Sequence, residues 1–270
     1  MQKDVHFYLT YAMCKMLNVK NAELIAWANQ FTDECTRPKL YGIQTQSEVL
    51  GNWFDKQIQF SVLSVFHFLP GDDEGHPWMT TERCGCAEAL MADAMKSEDP
   101  FRIGIALHSF QDTFSHQGFS GWQEELNSCF PWYRLPRRSV PNIGHAEMGV
   151  IPDMVDYTWT DPRDNSRVDN KDRVSRCISS TYDVLAPMSN KELSKVQVSA
   201  AFFRFLLTNS YKERKEELKK ISGHPVRFSE LTKTYETLYL EQFSKAATEQ
   251  LRFIMGAVKD LPRKEVEEDE

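Results

Sequence analysis

DPFRIGIALHSFQDTFSH, residues 99–116, decides how the rest of the chain reads. Asp99 suits a helix N-cap and Pro100 the first helical position. Phe101, Ile103, Ile105, Ala106 and Leu107 supply an apolar flank. On this helix His108, Asp112 and His116 fall at i, i+4 and i+8. Each four-residue step advances only ~40° around the axis, so the three side chains leave one face. Two imidazoles and a carboxylate on a face that ought to meet a core are costly to bury unless something holds them. A metal ion is the most economical partner, because the alternative requires three separate protein partners.

Helical periodicity extends in both directions from this stretch. It predicts helices over residues 4–17, 21–31, 80–97 and 99–117, then over 167–186, 190–208, 210–222 and 229–260. Asn18 closes the first, Gly223 and Pro225 separate the last two, and Ser229 with Thr232 opens the final one. Residues 57–66, QIQFSVLSVF, alternate apolar with polar and predict a strand or extended segment. Residues 118–165 are rich in Gly and Pro and predict a long irregular region of the kind that closes over a site. The expected architecture is all-α: one multi-helix metal-binding domain over residues 1–262 with long loops, and a disordered acidic tail over 263–270.

The 270 residues, 41% hydrophobic and 26% charged, suffice for a sizeable core. A net charge of −7 disfavours holding duplex nucleic acid by bulk electrostatics. It leaves open an enzyme that meets a phosphodiester only at a metal. Asp4 and His6 interrupt the place where a signal peptide needs its apolar centre. No run approaches the roughly 18 apolar residues of a membrane span. The six cysteines are scattered, so free thiols and a cytoplasmic location are expected. No phosphate-binding loop, dinucleotide fingerprint or nucleophile elbow is present.

Of the seven histidines, His76 and His224 precede prolines in polar loops, and solvation accounts for them. The others have carboxylates or apolar context nearby. Asp4 lies beside His6, Phe66 and Phe68 flank His67, and Glu147 and Asp153 follow His145, while Asp33 closes the second helix. His108 and His116 are ~12 Å apart along the axis, so they suit neighbouring ions with Asp112 as the bridge. Two ions ~3.5–4 Å apart hydrolyse phosphate esters by activating water and neutralising phosphoryl charge. Mixed nitrogen and oxygen donors suit zinc, with manganese, iron(II) or nickel compatible. Phe119, Trp122, Phe130, Trp132 and Tyr133 read as loop packing, or else as a platform for a base or acyl chain.

The order of these residues resembles that of the zinc-dependent bacterial phospholipases C and the fungal and plant single-strand nucleases. It runs from an early His6 through Asp33 and His67 to the His-x-x-x-Asp helix at His108 and Asp112, then to His145 and a following acid. The resemblance covers roughly residues 4–156 and implies an all-α fold whose zinc cluster, of up to three ions, cleaves phosphodiesters. Carried over by position, it makes His6 the N-terminal ligand and Asp33, His67, His108 and Asp112 the set around one metal, with Asp112 bridging. His116 and His145 become ligands of another ion, with Asp153 or Glu147 as the last carboxylate. Three features depart from that pattern. The family uses its N-terminal amine as a ligand, whereas Met1 is expected to lie too far away here, with Asp4 in its stead. The interval from Asp112 to His116 is short, and the late His-x-x-x-Glu motif is absent, Gly149 standing four residues after His145. HSFQDTFSHQGFSG and IGHAEMGVIPDM also look like a bacterial family of similar length without known function.

The expected function is therefore a metal-dependent hydrolase of phosphate esters, a phosphodiesterase acting on a phospholipid headgroup or a nucleotide-type substrate. Asp112 and Asp33 are its expected catalytic carboxylates. His6, Asp33, His67, His108, Asp112, His116, His145 and Asp153 are the expected ligands of one to three ions. The alternative is a non-catalytic, metal-stabilised module that binds another protein, which would differ by having no open coordination position.

Overall fold

The computed structural model describes residues 1–36, 43–46, 54–129, 141–224 and 226–262. Its helices are α1 (Thr10–Met16), α2 (Ala22–Phe31), α3 (Lys56–Ile58), α4 (Gly85–Ser97), α5 (Pro100–Ser115), α6 (Asn170–Leu185), α7 (Lys195–Leu207), α8 (Tyr211–Ser222) and α9 (Phe228–Ala257). The architecture is all-α. The acidic tail, Pro38, Gly42, Phe130, Trp132 and Tyr133 lie outside the described residues.

Helix α5 is the axis. Asp99 caps it by accepting from the Phe101 amide at 2.8 Å, and Pro100 occupies its first turn. Every residue from Ile103 to Ser115 is buried. A helix buried all round must be enclosed by other elements. Here α2, α4, α6 and α9 surround it, together with a π-helical segment, Gln59–His67. Ser109 Oγ donates to the Phe66 carbonyl at 2.8 Å, and Gln250 of α9 donates to both the Val65 carbonyl and Ser109 Oγ, at 3.0 and 2.8 Å. These bonds fix the π segment lengthwise against α5. Trp27 of α2, in contact with Phe31, Phe101, Tyr235 and Phe243, fills the space between α2, α5 and α9.

The helical path of 57–66 corrects the strand expectation. Ile58, Val62, Val65 and Phe66 also fit helical spacing, and residues 62–67 are buried throughout. A stretch this short, whose apolar residues fit both periods, does not distinguish strand from helix. A second π-helical stretch, Asp4–Leu9, precedes α1. Such segments are rare and concentrate at functional sites. Both carry candidate ligands, His6 and His67.

Other boundaries move inward. Helix α4 begins at Gly85, whose amide donates to Asp72, rather than near residue 80. Arg167–Asp169 leaves the expected helix to pair antiparallel, as β2, with β1 (Thr158–Thr160). Helix α7 opens at a Ser194–Gln197 capping box, and α9 opens at Phe228 without a side-chain cap from Arg227. Phe119, Leu63, Phe68, Ile143 and Trp159 form a small second core among the described loop residues on either side of 130–140, and Trp122 packs on the main one. Packing therefore accounts for Phe119 and Trp122. All six cysteines are free. No described helix is long and apolar enough to cross a membrane.

Gly104 lets α2 and α5 approach closely. A Cβ there would lie 2.5 Å from the Ile25 carbonyl oxygen and 2.7 Å from Ala28 Cβ. Gly104→Ala is expected to cost ~1–3 kcal/mol by overpacking. Thermal denaturation should show a melting temperature several degrees lower, and an unchanged value would contradict this tight crossing.

Candidate metal centre

Three elements converge beside the C-terminal half of α5. The end of α2 delivers Asp33, the end of the π segment delivers His67, and the N-terminal π turn delivers His6. From the loop side, two 3₁₀ turns, Ala146–Met148 and Ile151–Asp153, bring His145 and Asp153. Helix α5 contributes His108 and Asp112, and His116 sits at its C-cap. All eight expected residues come together here, with neighbouring donor atoms 3.1–3.8 Å apart within each set.

Two groups of donors stand out. In the first, His108 Nε2 lies 3.1 Å from His67 Nδ1 and 3.2 Å from Asp112 Oδ2. Asp33 Oδ1 lies 3.6 Å from His108 Nε2 and 3.8 Å from His67 Nδ1. In the second, His116 Nε2 is 3.1 Å from Asp153 Oδ1, and His145 Nε2 is 3.2 Å from His116 Nε2 and 3.3 Å from Asp153 Oδ2. Tetrahedral ligands at ~2.0–2.1 Å from an ion stand about 3.3 Å from one another. The donor spacings match that edge.

A third set joins these two. The Met1 amine donates to Asp112 Oδ1 at 2.5 Å and lies 3.2 Å from Asp153 Oδ1. His6 Nε2 is 3.1 Å from the same Asp112 oxygen. Asp112 thus turns one oxygen to the first group and the other to Met1 and His6. This corrects two expectations. Met1 is close, against Asp112 and Asp153, and Asp4 points away, to Arg214 at 2.6 Å. Asp153 rather than Glu147 lies beside His116 and His145. Glu147 instead accepts from the Cys129 amide at 2.7 Å.

The outer hydrogen bonds fix the imidazoles. His67 Nε2 donates to the Thr45 carbonyl at 2.7 Å, His116 Nδ1 to the His67 carbonyl at 2.7 Å, and His145 Nδ1 to the Gly149 carbonyl at 2.8 Å. Carbonyls only accept, so each of these nitrogens carries a proton, and the neutral form of each ring turns its other nitrogen, bare, to the cluster. His6 Nδ1 donates to Gln111 Oε1 at 3.1 Å, and Asn29 Nδ2 donates to the same oxygen at 3.0 Å. Such outer partners are the usual way of orienting metal-binding histidines. His108 is the exception: its buried Nδ1 has no partner among the described residues. Asn29 and the Thr45 carbonyl carry no spacing signal in the sequence, since each reaches the site only through tertiary packing, and Gln111, beside Asp112 on α5, finds His6 in the same way.

The electrostatics point the same way. Three carboxylates share the cluster with one ammonium group. Burial pushes Asp112 up, but His116, the Met1 amine, His108 and His6 outweigh it and hold the carboxyl well below its usual range. Burial likewise opposes charge on Asp153, and the Met1 amine and His145 reverse it. Burial disfavours the charged Met1 amine, yet Asp112, Asp153 and Asp33 raise it to about 11. Burial, with His6 alongside, pushes His108 down to about 4, so its ring is neutral near pH 7. Burial and the Asp112 charge raise Asp33 against the pull of His108 and His67.

Helices enclosing a buried row of nitrogen and oxygen donors define an all-α protein with a candidate polynuclear metal centre. The chain belongs to a family of unknown function, DUF6765, which matches residues 1–260. No curated protein and no solved structure matches it.

His108 yields a pH test on chelated protein. Its folded pKa lies below the ordinary ~6.5 of the unfolded chain. Acid therefore protonates the unfolded state first, and the folded state loses stability as pH falls from ~6.5 to about 4. The stability gap between wild type and His108→Asn should widen as pH rises through that window, by about 3 kcal/mol at ~1.4 kcal/mol per pKa unit. Urea denaturation across the range measures it, and a gap independent of pH would refute a buried neutral His108.

Proposed function

We propose that this protein is a metal-dependent hydrolase of phosphate esters, a phosphodiesterase acting on a phospholipid headgroup or a nucleotide-type substrate, with zinc as the favoured ion. One observation carries the reading. The Nε2 atoms of His116 and His145 face each other at 3.2 Å while both Nδ1 atoms donate to carbonyls. Two facing lone pairs repel unless a cation or proton lies between them. Asp153 beside them, and the parallel arrangement of His67 and His108 beside Asp112, favour a multivalent cation over a single shared proton.

A cavity of about 520 Å³ adjoins the cluster, with Met1, Asp33, Met154, Asn209, Tyr211 and Arg214 among its walls. Its size suits a small substrate. When bound, ions at such a site supply Lewis-acid stabilisation of a phosphoryl group and a water activated for attack. The chain's own residues do the rest. Asp112, 1% exposed, holds both donor sets at a fixed separation. Asp33, 26% exposed, lines the cavity and would take the proton released by the attacking water. Gln30 Nε2, 3.5 Å from Asp33 Oδ2, steadies that carboxylate.

The test has two arms. Zinc or manganese should raise the melting temperature of chelated wild type, and His116→Ala or Asp112→Ala should lose most of that rise. Loaded wild type should hydrolyse bis(p-nitrophenyl) phosphate, and Asp112→Ala should reduce the rate at least a hundredfold. Metal binding without hydrolysis of this ester, of phospholipids or of single-stranded DNA would replace the enzyme by a metal-stabilised interaction module. No metal binding at all would remove both.

A further inference from the structure

Arg214 of α8 is 2% exposed and belongs to none of the donor sets. Its Nε donates to Asp4 Oδ2 at 2.6 Å, and its Nη1 donates to Asp156 Oδ1 at 2.8 Å and to the Thr208 carbonyl at 3.4 Å. Asp4 lies two residues before His6, and Asp156 lies three residues after Asp153. One guanidinium therefore joins two segments that supply donors from outside α5. Those segments meet in the cluster, where the Met1 amine lies 3.2 Å from Asp153 Oδ1.

Stability alone does not explain this arrangement. Asp4 is fully buried, and its Oδ1 has no partner among the described residues. Replacing a buried ion pair by well-packed apolar residues is often neutral or stabilising, whereas a half-satisfied buried carboxylate is costly. The segments themselves need fastening. Residues 151–156 contain only a single 3₁₀ turn, tethered by Asn170 Nδ2 to the Ile151 and Met154 carbonyls at 2.8 Å each. A planar fork reaches two carboxylates in different directions, and a lysine ammonium on a flexible stem does not hold that geometry.

We propose that Arg214 is a positioning residue whose guanidinium locks the N-terminal π turn to the 151–156 loop, setting His6 and Asp153 against each other across the donor cluster. The consequence for metal binding rests on the metal-centre reading above, while the fastening stands on geometry alone.

The experiment compares wild type, Arg214→Lys and the double variant Arg214→Met with Asp4→Leu. Hydrogen exchange on chelated protein, read by mass spectrometry, should be faster in both residues 4–9 and 151–157 of Arg214→Lys, with α5 unchanged. Zinc titration of the same variant should show affinity reduced about tenfold, the low end of what removing a group bonded to a ligand costs, since Arg214 acts on the ligands through their segments. The double variant leaves no buried charge on Asp4 uncompensated. It should regain thermal stability while its zinc affinity stays reduced, an outcome that a merely structural role does not give. Unchanged exchange in the two segments, or wild-type zinc affinity in the double variant, overturns the proposal. If wild type binds no zinc, the metal reading falls, and the exchange arm still decides the fastening.

Discussion

A helix buried on every side cannot carry a row of ionisable groups unless the fold compensates them. That constraint on α5 organises the molecule. His108 and Asp112 are inside because Ile103, Ile105, Leu107, Phe110 and Phe114 are inside. The surrounding elements then bring partners to the polar row as well as apolar surface to the rest. Much of the outer chain serves this purpose: Thr45 and Gly149 by their carbonyls, Gln111 and Asn29 by a shared amide contact, and Arg214 by its two carboxylates.

Burial and neighbouring charge oppose each other across the cluster. Burial, with His6 alongside, pushes His108 down so that its ring offers a lone pair, whereas Asp112 and Asp33 outweigh burial at His67, and Asp153 outweighs it at His145, raising both rings. Asp112 and Asp153 are held ionised because the Met1 ammonium and the imidazoles lie close by, while burial raises Asp33. A bound cation would take the place of protons in such a set, since metal binding requires deprotonated donors. The proposed hydrolase follows from that chemistry together with an adjoining cavity, and it does not follow from the fold, which hosts no function by itself.

Local backbone departures accompany the site. Both π-helical segments end near it, and each shifts a histidine relative to an ordinary α-helical path. The hydrogen-bond ladder is widened at these places, and the neighbouring core fixes the result: Gln250 holds the Val65 carbonyl, and Ser64 Oγ donates to the Gln59 carbonyl. Sequence periodicity has no separate signature for such segments, so residues 57–66 were open to reading as a strand. Ile58, Val62 and Phe66 show in retrospect that helical spacing was also there.

The sequence by itself determined the all-α class and the ladder His108, Asp112, His116, because helical spacing and the Asp99–Pro100 cap are local properties of the chain. It also pointed to His6, Asp33, His67, His145 and Asp153 as individuals, through residue type and order. Only the tertiary structure decided how they meet. Asp112 turns its two oxygens to different donor sets, Asp153 is selected over Glu147, and Met1 enters the cluster while Asp4 leaves it for Arg214. Each of these depends on the direction of a side chain after long-range packing, and contacts between residues 4 and 214, or 1 and 153, have no expression in any short window of sequence.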